Sequence, residues 1–170
     1  MRPHLRRKKH PAAKGFTLIE MLVVMGIIAA LSGIVITAIN PAKQFAQARN
    51  NERQSGITAI LNAVGQRMTD DKGTFAGPFT VGGTAYVCPQ LPSAATAISS
   101  QGGIDLSCLT PTYISTQIPV DPNGGNWTSA QNYASAYTIS ADALGRVTVC
   151  APDAATESAV PGAATICMTR

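Results

Sequence analysis

The stretch KGFTLIEMLVVMGIIAALSG, running from Lys14 to Gly33, decides how the rest of this 170-residue chain is read. It opens an apolar run that extends to Ile39, and from Phe16 onward that run holds a single charge, Glu20. About 20 apolar residues suffice for a helix to cross the hydrocarbon core of a bilayer. The run therefore predicts a membrane-spanning helix. Glu20 is out of place in it, because a carboxylate at the helix centre costs roughly 2.5–3.5 kcal/mol on insertion scales. Such a group needs water at headgroup depth or a cationic partner.

Residues 1–15 set the orientation. They carry six of the thirteen Lys and Arg (Arg2, Arg6, Arg7, Lys8, Lys9 and Lys14) and no acid. Basic flanks stay on the cytoplasmic side, which puts this leader inside and everything after Asn40 outside. The formal charge of +4 belongs to the leader; from Phe16 onward seven bases face nine acids, a net of −2. A general nucleic-acid binder presents a basic surface to phosphates, so no such binding is expected. Candidate signal-peptidase sites after the span, such as Thr37-Ala38-Ile39, fit the small-residue rule poorly. Hydropathy alone thus gives an uncleaved signal anchor.

Composition divides the chain into a leader (1–15), an apolar helix (16–40), an amphipathic helix (41–72) and a β-rich extracytoplasmic head (73–170). Pro41 lacks an amide donor and crowds the carbonyl of Thr37, which predicts a kink at Asn40-Pro41. The segment QARNNERQSG, Gln47 to Gly56, reads as polar on all sides. Beyond it Ile57, Ile60, Leu61, Val64 and Met68 fall on one helical face. Asp70-Asp71-Lys72-Gly73 closes the helix, with Gly73 suited to the left-handed position after its end. In the head, TVGGTAYVC places Gly82-Gly83 between two short strands. Ala134–Ser140 and Arg146–Ala151 predict two more, joined through Asp142 to Gly145, and Thr165–Met168 an edge strand. The expected fold class is α+β, the Ile57–Met68 stripe lying across an antiparallel sheet.

Four cysteines, Cys88, Cys108, Cys150 and Cys167, lie outside the membrane, where disulfides persist. Their spacing matches neither a CxxC redox motif nor a zinc pattern. Of three possible pairings, nearest-neighbour closure gives Cys88–Cys108 and Cys150–Cys167, each loop stabilising by roughly 3 kcal/mol in the chain-entropy account.

Lys14-Gly15-Phe16-Thr17-Leu18-Ile19-Glu20 with the apolar run behind it resembles the type IV pilin family. The stretch YISTQIPVDP, Tyr113 to Pro122, also looks like a segment of pilins and of secretion-system pseudopilins. The resemblance implies that a prepilin peptidase cuts between Gly15 and Phe16 and that Phe16 becomes N-methylated. It implies that Glu20 pairs with the Phe16 amine of a neighbouring subunit. The chain is then a structural subunit of a helical homo-oligomer, the apolar helix forming the filament core. It would be drawn by an assembly platform from the inner membrane, where it crosses once, into an extracellular surface filament. The alternatives are a pseudopilin of a type II secretion system and a DNA-capturing minor pilin.

Enzymatic chemistry finds little material. His4 and His10 are the only histidines, both in the leader, and no HExxH, phosphate-loop or GxSxG pattern occurs. Asp70-Asp71 reads as a solvated helix end, since adjacent helical residues point apart. Asp121-Pro-Asn-Gly-Gly-Asn126 offers oxygen ligands at calcium-loop spacing, but a single carboxylate favours a plain turn. No metal site or cofactor is therefore expected. Asn126-Trp127-Thr128 fits a glycosylation sequon.

Overall fold

A computed structural model of the chain describes residues 15–170, with residues 36–39 in backbone only. The leader ahead of Gly15, with both histidines, lies outside the described residues. Internal contacts divide the chain into two units, one ending at Pro41 and the other running from Ala42 to Arg170.

The first unit contains helix α1, Leu18–Ile39. Its 22 residues rise about 33 Å at ~1.5 Å each, enough to cross the hydrocarbon of a bilayer. No residue of the window Leu18–Val35 is buried. Thr17 caps the helix: its hydroxyl accepts from the Glu20 amide at 3.2 Å, and the Thr17 amide donates back to Glu20 Oε2 at 3.4 Å. This reciprocal pair satisfies two of the amides that every helix start leaves without partners. Asn40 ends the helix in the left-handed region, at φ 46° and ψ 79°. At Asn40-Pro41, where the sequence predicts a kink in one continuing helix, the first helix instead ends and a second begins. Pro41 is the first residue of helix α2 (Pro41–Asp70), a place where its missing donor costs nothing.

The second unit is the head, in which α2 buries Ile57, Ile60, Leu61, Ala63 and Val64 against a sheet. The helix ends in a Schellman motif, with the Gly73 amide donating to the Met68 carbonyl at 2.7 Å. Lys72 (φ 53°), and not Gly73, takes the left-handed position directly after the helix; Gly73 follows it with φ 96°. The sequence reading placed that cap one residue too late.

Strands β1 (Gly77–Val81) and β2 (Thr84–Cys88) form the hairpin expected around Gly82-Gly83. The main sheet contains β3 (Thr96–Ser99), β4 (Asn126–Ser129), β5 (Asn132–Ala141), β6 (Val147–Ala151) and β7 (Ile166–Thr169), every pair antiparallel. Its order is β3-β5-β6-β7, with β4 on β5. β5 pairs β4 through its first residues and β6 through its last. Between those partners Ala136 lies at φ 60°, where the register against β3 also slips. The chain is thus α+β, and the cysteines are closed as Cys88–Cys108 and Cys150–Cys167. The first bridge is buried, while Cys167 of the second is exposed at the sheet edge.

Candidate functional site

At the start of α1 the positions singled out in the sequence are all exposed. A Cβ built on Gly15 would meet nothing within 4 Å. Phe16 is 78 % exposed, and Glu20 holds its place through the cap with Thr17. The spacing Thr17-x-x-Glu20 is itself a capping-box signature, a local role for Glu20 that the sequence reading missed. A charged side chain in the first helical turn also faces the positive end of the helix dipole. Behind it the apolar side chains of α1, among them Leu22, Val24, Ile27, Leu31 and Val35, are about half exposed or more. A surface so apolar is stable only against lipid or other helices.

The head has a second cluster of charge, set by α2. Arg53 is fully buried and donates from Nε to Asp121 Oδ2 at 2.6 Å and from Nη2 to Asp121 Oδ1 at 3.1 Å. Its Nη1 reaches Glu157 Oε1 at 2.7 Å and Asn50 Oδ1 at 2.8 Å. Arg49, one turn earlier, grips both oxygens of Glu157, at 2.8 and 2.5 Å. Asp121 also accepts from the amides of Asn123 and Gly124. Two cations and two anions therefore clamp α2 to the loop before β4 and to the short turn Pro152–Thr156 that follows β6. Hydrogen bonds from Arg49 and then Arg53 hold the Glu157 carboxyl down at about 2. Burial works against the charge on Asp121, yet Arg53 and the two amides keep its pKa below the usual value. Asp121 in turn drives the Arg53 guanidinium further up.

This cluster corrects one expectation. Gln47–Gly56, polar on all sides in sequence, is not solvated on all sides, because Arg53 falls on the buried stripe with Ala46, Ile57 and Ile60. The 121–126 turn is arranged around an internal cation, with both Asp121 oxygens occupied by Arg53 and by turn amides. Among the described residues no group of three or more His, Cys, Asp and Glu is placed to hold a metal ion. Gly125 is required in the turn: a Cβ there would lie 2.6 Å from the Asp121 nitrogen and 2.8 Å from the Ser135 carbonyl.

Comparison with protein families matches residues 11–36 to the prokaryotic N-terminal methylation motif. The chain carries the signature of type IV pilins and pseudopilins. That family is of structural type: its members self-assemble into filaments after processing by a prepilin peptidase. The motif and α1 together fit a membrane-anchored precursor. Comparisons with curated proteins and with solved structures found no match.

Proposed function

We propose that the protein is a pilin: a structural subunit of an extracellular filament, made as a membrane precursor and processed between Gly15 and Phe16. One observation carries the reading. The methylation motif over residues 11–36 coincides with a 22-residue helix whose apolar surface is uncovered. In the precursor lipid would cover that surface, and in the filament the α1 helices of other copies would do so. Cleavage frees an amine on Phe16, and methylation keeps its charge. Glu20, one turn on, is the anion for it. A pair of this kind is strong in low dielectric, whereas either charge alone is costly. Such a pair sets axial register when helices gather.

Intact-mass measurement of the protein from membranes and from sheared surface filaments tests the proposal. Both forms are expected to lack residues 1–15, with one methyl group added. A full-length chain in every fraction rules the assignment out. A pseudopilin would be processed identically but would not be the main subunit of long surface filaments, which imaging and subunit identification decide.

A further inference from the structure

Asn126 is the one asparagine of the chain followed two residues later by Ser or Thr, with no proline between. That is the pattern to which N-linked sugar is attached. So short a pattern recurs by chance, and its place in the fold has to decide. Along β4 the exposure alternates: Asn126 and Thr128 are exposed, Trp127 and Ser129 half-buried. Residues two apart on a strand share a face, so the amide and the hydroxyl stand together in water. Trp127 between them fixes that orientation, its ring packed against the ring of Tyr133. The amide itself is also oriented. Asn126 Oδ1 accepts from the Ala134 amide at 3.0 Å, and in a carboxamide only the oxygen can accept. Nδ2, on the other side of the carboxamide carbon, is thereby turned away from β5.

Two further features call for a hydrophilic cover here. Residues 73–170 hold seven charged side chains, whereas a soluble surface is about 25–35 % charged. Of the seven, Asp121 and Glu157 are buried in the clamp, and Asp142 pairs with Arg146. The head thus presents a weakly charged surface, and weak charge promotes association. Among the described residues β4 pairs with β5 alone, and an open strand edge is a template for a foreign strand. A bulky, solubilising group on Asn126 answers both.

We infer that Asn126 is the acceptor of an N-linked glycan, transferred from a phosphate-activated sugar. Nδ2 attacks the anomeric carbon of the sugar. The bond from that carbon to the phosphate oxygen breaks, and a carbon–nitrogen bond to Nδ2 forms. The amide gives up one proton, and the phosphate-bearing carrier leaves with the electron pair. Thr128 is the recognition residue, its hydroxyl read by the transferase beside the amide. The carrier is a lipid pyrophosphate rather than a soluble nucleotide. The basic leader puts the head on the far side of the membrane, away from cytoplasmic nucleotides. The inference rests on that export, which belongs to the membrane-precursor reading, and does not need filament assembly.

Glycopeptide mapping by mass spectrometry of the full chain, isolated from the membranes of its own cells, tests this. The peptide holding Asn126 is expected to carry sugar, and fragmentation to place it on that side chain. Thr128→Ala, which leaves Asn126 in position, should lower occupancy at least tenfold, and Thr128→Ser should restore it. A bare Asn126 in the wild-type chain overturns the inference, as does a sugar whose occupancy Thr128→Ala leaves unchanged. The full chain made in a host without N-glycosylation should gain the sugar from washed membranes that hold lipid-linked donors. Gain from cytosol with nucleotide sugars, and not from membranes, would overturn the lipid carrier. The N-terminal peptide in the same digest separates the two readings. A chain cut after Gly15 with Asn126 bare overturns the glycan and leaves the pilin reading intact. A glycosylated chain that keeps its leader in every fraction overturns the pilin reading alone.

Discussion

Replacing Arg53 by Met is the sharpest test of how the head is held to α2. The side chain is fully buried, and methionine fills much of its volume while removing the guanidinium. Glu157 keeps Arg49 at 2.5 Å, so the orphan is Asp121, left with only the amides of Asn123 and Gly124. Breaking a buried pair by removing one partner costs about 3–5 kcal/mol. For a domain of this size that is a fall of about 10–20 °C in Tm. Trp127 is the only tryptophan in the chain and packs tilted against Tyr133, with ring centroids 4.9 Å apart. Its fluorescence in full-length protein in detergent therefore reports unfolding of the head and is blind to α1. The pH dependence supplies a second sign. An unpaired buried carboxyl has its pKa raised in the folded state, which then binds the proton better than the unfolded chain. Lowering the pH from 7 to 5 should accordingly raise the Tm of Arg53→Met. The double variant with Asp121→Asn, which removes the stranded charge, should lose less than the sum of the two single changes. A loss under about 1 kcal/mol for Arg53→Met, far below the range for a broken buried pair, with no rise of Tm on acidification, would refute this account of the clamp.

In the wild type the linkage runs the other way. Asp121 and Glu157 have lowered folded-state pKa values, so their stabilisation is full above the ordinary carboxylate range and is lost as pH falls through the folded values. The head should keep its Tm from pH 7 to 5 and lose it toward the Glu157 value of about 2, as followed by Trp127 melts. The two disulfides should separate in native-state reduction: Cys150–Cys167, exposed at Cys167, is expected to be alkylated before buried Cys88–Cys108, read by peptide mapping. Simultaneous reduction counts against that order. Two glycines of α2 should respond oppositely to alanine. Gly65→Ala, with open space around it, should stabilise by about 0.5–1 kcal/mol. Gly56→Ala, whose Cβ would lie 2.9 Å from Tyr137 Oη, should destabilise by about 1–3 kcal/mol. Equal signs in denaturant titration would show that the Tyr137 contact is not tight.

The segments that could be read were those whose signal is local. The apolar length of α1, the Ile57–Met68 stripe and the Gly82-Gly83 hairpin each lie within a few turns of chain, and each is present. β3 and β4 were missed because both are four residues long, and Asn126–Ser129 carries Asn and Ser, which read as turn. They exist because β5 is long enough to pair on both sides. The clamp could not be read as a cluster, since Asp121 and Glu157 stand 68 and 104 residues from Arg53. Half of it is nonetheless legible in the sequence. Ala46, Arg53, Ile57, Ile60 and Val64 recur at 7, 4, 3 and 4, so an arginine on the buried stripe announces an acid somewhere opposite. Treating Gln47–Gly56 as uniformly polar hid that phase.

Glu20 has an observed role, in the cap, and a proposed one, in assembly, to separate. In the uncleaved chain it completes the Thr17 cap, accepting from the Thr17 amide at 3.4 Å, a long contact that leaves most of the carboxylate free. Cleavage would place an ammonium four residues earlier, roughly 6 Å along the same helix. Its own chain is then the first competitor for Glu20, ahead of any neighbour. Moving the pair from within one chain to between two changes little in net charge. On this account Glu20 contributes mainly register to assembly. A substitution that keeps the cap but drops the charge tells the roles apart. Glutamine at this position still serves a capping box, whereas valine serves neither role. Both variants should be processed normally, because the bond proposed to be cut lies at Gly15. If charge pairing governs assembly, Glu20→Gln and Glu20→Val should each leave processed monomer in the membrane, with filament yield down at least tenfold. A stranded ammonium costs about 3–5 kcal/mol per added subunit, ample for that loss. If the cap is what matters, Glu20→Gln should assemble like the wild type and only Glu20→Val should fail. Filament mass sheared from cells, set against membrane monomer, decides between them, and normal yield from both variants would remove Glu20 from the assembly mechanism.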